Sequence, residues 1–127
     1  MARITYRLHR GRELEDLMRR GRARDCPLFR VMTRTNVCGH ARIVLVVAKK
    51  AAKRAVIRNR LRRRAREWLR RELPLDAISL DIAIFFKAES ALASREKFYD
   101  ALTKAAPIIY PPYPAHADSR IPAHAIA

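Results

Sequence analysis

The chain has 127 residues, half of them apolar, and carries 28 Lys plus Arg against 12 Asp plus Glu, a formal net charge of +16. Such a size and apolar share fit one folded domain rather than a disordered tail, and no apolar run approaches the ~20 residues that span a bilayer. Cys26 and Cys38 are too few for a disulfide framework, and the basic N-terminus lacks an apolar h-region, so a cytoplasmic protein is expected.

The first expected element is a helix over about 11–20, with Leu14, Leu17 and Met18 on one face and Gly21 as its stop. Leu17 reads as core, whereas Leu14 and Met18 could serve either the core or a surface. A short strand could follow near Arg22 to Asp25. Leu28 to Thr33 reads as a strand and Thr35 to Gly39 as a turn. The run Ile43, Val44, Leu45, Val46 and Val47 reads as a strand buried on both faces.

A long helix is expected over Val56 to Glu72, broken at Pro74. Asp81 to Lys87 reads as a strand, with Ile82, Ile84 and Phe86 on one face and Ala83 and Phe85 on the other. A last helix is expected from Ser94, its N-cap, to Ala106, with Phe98, Ala101, Leu102 and Ala105 as its apolar stripe and Pro107 as its end. Residues 107–127 are rich in proline and lack periodicity, so they read as an extended or disordered tail behind a 1–106 domain. Helices and a mixed sheet of about four strands make a small α+β sandwich.

The charge is unevenly placed. Residues 1–72 carry 23 basic and 6 acidic side chains, and residues 73–127 carry 5 and 6. Twelve basic residues fall within Lys49 to Arg71, where Glu67 is the one acid. At about 100° per residue, Ile57, Leu61, Ala65, Trp68 and Leu69 share an apolar arc. Trp68 therefore reads as core. The opposite side collects Asn59, Arg62, Arg63, Arg66 and Arg70, flanked by Arg58 and Arg60, which are expected to be exposed.

Arg58, Arg62, Arg66 and Arg70 form a like-charge row at i+4 spacing, which costs stability unless an anion relieves it. Lys49, Lys50, Lys53 and Arg54 extend the patch into the helix N-terminus, where the dipole also favours anions. Arginine suits bidentate phosphate contacts and stacking on bases. Asn59, an amide among arginines, can read a base or ribose edge, or cap a turn locally. These features point to RNA. A merely solvated face fits the like-charge row poorly. A membrane-surface helix would not have a sheet to pack on, and a basic zipper would need heptads after Pro74.

The segment VAKKAAKRAVIRNRLRRRARE resembles the signature of the bacterial ribonuclease P protein component, at Lys49, Lys50, Ala55, Val56, Arg58, Asn59, Arg60, Leu61, Arg62, Arg63, Arg66 and Glu67. A looser similarity extends over about residues 6–105. The resemblance implies helix–three strands–helix–strand–helix order with a left-handed βαβ crossover, against the usual right-handed rule. It implies a monomeric protein that joins a catalytic RNA one to one to remove the 5′ leader of precursor tRNA. Mg2+ held mainly by the RNA would activate the water, so the chain would supply no catalytic side chain and no metal ligand. The Arg-Asn-Arg helix would lie on the RNA. A cleft between the first helix and the sheet would receive the leader, at positions corresponding to Leu14, Met18, Phe29 and Met32.

This sequence departs from the family at Leu14, Met18 and Met32, which replace aromatics, at Val44 for glycine, and at Arg64 for an aliphatic residue expected to snorkel. Other readings are a structural, ribosomal-protein-like RNA binder and a protein-only nuclease. The latter would need a carboxylate cluster that the sequence does not offer. Cys26, Cys38 and His40 fit no common zinc spacing.

Overall fold

The computed structural model of the chain describes residues 7, 8 and 11–111. Its elements run α1 (Arg12–Arg20), β1 (Arg22–Asp25), β2 (Phe29–Thr35), β3 (Arg42–Val47), α2 (Ala55–Glu72), β4 (Leu80–Phe86), α3 (Ala88–Leu92) and α4 (Arg95–Ile109). The four strands form one mixed sheet in the order β1-β2-β4-β3. β4 pairs antiparallel with β2 and parallel with β3, so α2 is the crossover between two neighbouring parallel strands. The expected α+β architecture is therefore present.

Strand alternation divides the interior in two. On one face Phe29, Val31, Ile43, Leu45, Val47, Ile82, Ile84 and Phe86 meet Leu61, Ala65, Trp68 and Leu69 of α2 and Phe98, Leu102, Ala105, Ala106 and Ile109 of α4. Phe86 stacks on Phe98 with centroids 5.8 Å apart and meets Phe29 edge-on at 6.2 Å. On the other face a small cluster joins Leu8 and Leu17 to Met32, Val44 and Ala83, with Leu14, Val46 and Phe85 packed partly against it. Val44, the departure from glycine, is thus part of the packing beneath α1.

Two features hold α1 in place. Buried Asp81 accepts from Arg42 Nε at 2.9 Å and Nη2 at 2.8 Å, and from Asn36 Nδ2 at 2.8 Å. Arg42 Nη1 in turn bonds Glu13 of α1. At the far end of α1, Gly21 has φ −78°, so it does not stop the helix by a left-handed turn. Glycine is required there for space: a Cβ would lie 2.5 Å from the Leu17 carbonyl oxygen and 3.0 Å from that of Thr33.

Two expectations need correction. α4 does not end at Pro107 but continues to Ile109, with Pro107 inside it. A proline forfeits one N–H and crowds the preceding turn, yet buried Ala105, Ala106 and Ile109 give this turn core contacts that outweigh the loss. The short helix α3 has no counterpart in the sequence reading. It buries only Ser90, whose hydroxyl donates to Lys87 O at 2.6 Å, so it shows no apolar periodicity. Ser94 caps α4 as expected, accepting from Lys97 N at 3.2 Å. The tail from 112 onward lies outside the described residues.

Candidate nucleic-acid interface

α2 sorts its arginines into three strips. Its apolar arc is buried at Leu61, Ala65, Trp68 and Leu69, and Ile57 is half-buried. Directly opposite, Asn59, Arg63, Glu67 and Arg70 are exposed. One flank carries Arg58, Arg62 and Arg66, and the other Arg60 and Arg64, all half-buried.

The expectation that Arg58 and Arg60 are exposed is therefore corrected. Arg58 Nη1 donates to the carbonyls of Ala52 at 2.9 Å and Lys53 at 2.7 Å, fastening the turn that enters α2. Arg60 Nε is buried and has no hydrogen-bond partner. Asn59 accepts from Arg62 Nη1 at 3.0 Å, so its carbonyl orients a neighbouring guanidinium while its NH2 group keeps donor character.

The entry to α2 concentrates positive charge. Its N-cap, Arg54, makes no side-chain cap bond, and its first turn contains no acid. A helix start ordinarily recruits acceptors or carboxylates there. Instead Lys49, Lys50, Lys53 and Arg54 are all exposed around it.

β3 runs straight into this patch. The row nearest its end on the face away from α2 is Arg30–Phe85–Val46, with Asp25 paired to Arg30 at the edge. These side chains lie on the α1 face. Arg30 is exposed and Phe85 and Val46 are half-buried, so the α1 side leaves this end of the sheet partly open. Asp25 is also held by Lys87 at 2.8 Å.

The expected cleft residues separate. Leu14 is half-buried and Met18 is 52% exposed, both on α1. Met32 is on the cleft face but 4% exposed, beneath α1. Phe29 does not belong to the cleft. It is fully buried on the opposite face among the α2 and α4 contacts, because it lies three positions before Met32 and strand side chains alternate. The aromatic that does face α1 is Phe85, and Arg30 beside it was also missed. The period-2 pattern of 81–87 already paired Phe85 with Ala83, and that signal could have found it.

Comparison with known proteins bears on the family and the fold. A model of the ribonuclease P family, described as "Ribonuclease P", matches residues 3–109. The ribonuclease P protein component of Chromobacterium violaceum is 36% identical over 101 residues, covering 80% of each chain. That of Yersinia enterocolitica is 40% identical over 81 residues, 61% of this chain and 65% of its own. Among solved structures, the Staphylococcus aureus RNase P protein superposes with a TM-score of 0.72 at 20% identity, over 84% of this chain and 96% of that one. The Thermotoga maritima protein gives 0.66 at 24% identity, over 76% and 90%. At these identities the structural likeness speaks for the fold, and the family match carries the rest.

Proposed function

The chain belongs to the ribonuclease P protein family, as a subunit of that endoribonuclease working with its RNA, and from this premise we propose how it divides the labour with that RNA. The array on α2, from Lys49, Lys50, Lys53 and Arg54 through Arg58, Asn59, Arg60, Arg62, Arg63, Arg66 and Arg70, binds the backbone of the catalytic RNA in a one-to-one complex. The row Arg30–Phe85–Val46, with Met18 and Leu14 on the α1 side, takes the single-stranded 5′ leader of precursor tRNA. Hydrolysis occurs at the RNA, in the cytoplasm.

The observation that carries this reading is the pairing of two surfaces at one end of β3. One is dense in guanidinium groups and one offers an aromatic with an exposed arginine. Phosphates suit the first, since each contact releases counterions. Unstacked bases suit the second, since aromatic faces and guanidinium planes accept any base.

The carboxylates of the described residues do not form a metal site. Among the described residues no three His, Cys, Asp or Glu gather within reach of one ion, and Asp81 is occupied by Arg42 and Asn36. In this proposal magnesium belongs to the RNA, and the task of the protein is to bind and align. No helix among the described residues is long and apolar enough to cross a membrane.

Reconstitution tests the proposal. The protein is mixed with a bacterial ribonuclease P RNA and precursor tRNA at low magnesium, and leader release is followed. Stimulation of cleavage is expected. A well-folded preparation that leaves the rate of the RNA unchanged would sink it. Arg63→Ala with Arg70→Ala is the sharper probe of assembly, since both are exposed whereas Arg58 also fastens a turn.

A further inference from the structure

The flank of α2 turned toward α4 has chemistry the proposed interface uses only at Arg60. At about 100° per residue, Arg60, Arg64 and Arg71 fall within an arc of about 40°. α2 packs on α4 along this side. There Tyr99 receives two guanidiniums on its ring, Arg71 from α2 and Arg95 from the start of α4, each 5.5 Å from the centroid. Arg71 and Arg95 thus share one phenol, Arg64 lies within electrostatic reach of Tyr99 and Arg95, and Arg60 continues the row beside Arg64.

The seam leaves two buried polar atoms unmatched. Arg60 Nε and the Tyr99 hydroxyl are both buried without a hydrogen-bond partner. Burial, and the like charges of Arg60, Arg95 and Arg63, lower the pKa of the Arg64 guanidinium. Glu72 pairs with Arg71 Nε at 3.2 Å, on a side chain that remains half exposed. Unsatisfied buried donors are costly, and so are gathered like charges. An arrangement that carries both costs is relieved by one event, the arrival of an anion with several acceptor oxygens.

We propose that the α2–α4 seam formed by Arg60, Arg64, Arg71, Arg95 and Tyr99 is a second binding site for the phosphodiester backbone of RNA. It lies on the flank of α2 opposite to Arg58, Arg62 and Arg66. A phosphate there accepts from arginines of both helices, and the phenol donates to it. The two flanks of α2 then bind two backbone segments, with Asn59, Arg63 and Arg70 between them. The seam rests on the reading of the chain as an RNA-binding subunit, and adds a site remote from the leader row on the α1 face.

The test uses the full chain with Arg64→Leu and Arg95→Gln, separately and together. Leucine at 64 fills the half-buried place of the arginine stem, and Arg95 is exposed, so both leave the fold standing. Binding is measured against salt in two arms: protein with ribonuclease P RNA, and assembled holoenzyme with precursor tRNA. Each lost arginine should flatten the salt slope by about one and weaken binding roughly fivefold at physiological salt. Arg64→Leu should also raise the melting temperature, a gain in stability bought with affinity. An effect in the first arm assigns the backbone to the catalytic RNA, and one in the second assigns it to the tRNA. Lys104→Gln, on α4 but 79% exposed and paired with Asp100, should leave both arms unchanged. If it flattens the slope equally, the effect is general charge and the seam is not a site. Unchanged slopes in both arms overturn the seam alone when Arg63→Ala with Arg70→Ala still weakens binding. If that pair is silent as well, the reading of α2 as the RNA contact falls with it. Should Arg64→Leu unfold, Arg95→Gln decides by itself.

Discussion

The two faces of the sheet are covered to different depths. Beneath α2 and α4 lies a broad core in which Phe29, Trp68, Leu69, Ile82, Phe98 and Leu102 are almost fully buried. Beneath α1 lies a cluster of five buried residues, with Phe85 and Val46 only half covered beside it. The contrast shows where stability resides and where apolar surface stays partly open. Packing density on the first face holds the sheet rigid, and that rigidity lets the second face keep apolar area partly exposed without collapsing.

Breaking the thick face should have the largest effect. Trp68→Ala removes a fully buried indole from the centre of the main core and is expected to cost about 3–5 kcal/mol. Chemical denaturation would measure it, and a loss under about 1 kcal/mol would mean that α2 is not seated on the sheet as described. Next is the fastening of the thin face. Asp81→Ala leaves Arg42 without its buried partner and loosens Glu13 of α1. It should cost about 2–3 kcal/mol, less than for a fully buried pair because Arg42 reaches solvent. Hydrogen exchange should show α1 opening first, while α2 and α4 keep their protection. Equal loosening of all three helices would erase the distinction between the faces.

The smallest expected effect on stability is also the most specific. Phe85→Leu keeps apolar bulk but removes the aromatic face. Little change in melting temperature is expected, with precursor tRNA binding weakened by about 1 kcal/mol relative to mature tRNA. Met18→Ala, on a side chain half exposed, should act in the same direction and more weakly. Equal weakening of both RNAs would move the leader away from this row.

The sequence alone carried the α+β order, the strand of Ile43 to Val47, the Ser94 cap, the burial of Leu17 and Trp68, and the arginine-rich helix. These are local matters: a period of 2 or 3.6, a cap, a charge run. The Lys49-Lys50 to Arg66-Glu67 spacing also carried the family. Tertiary structure decided what periodicity cannot express. It turned Phe29 away from the cleft and Phe85 toward it, because facing depends on which side each helix covers. It made Arg58 a clamp on its own turn and set Arg60 half-buried, because a flank position is exposed or covered according to what packs beside it. It kept α4 helical through Pro107, because core contacts outweigh a local penalty. And it brought Arg95 and Tyr99 to Arg60, Arg64 and Arg71, a meeting of two helices distant in sequence that only packing on a common sheet could produce.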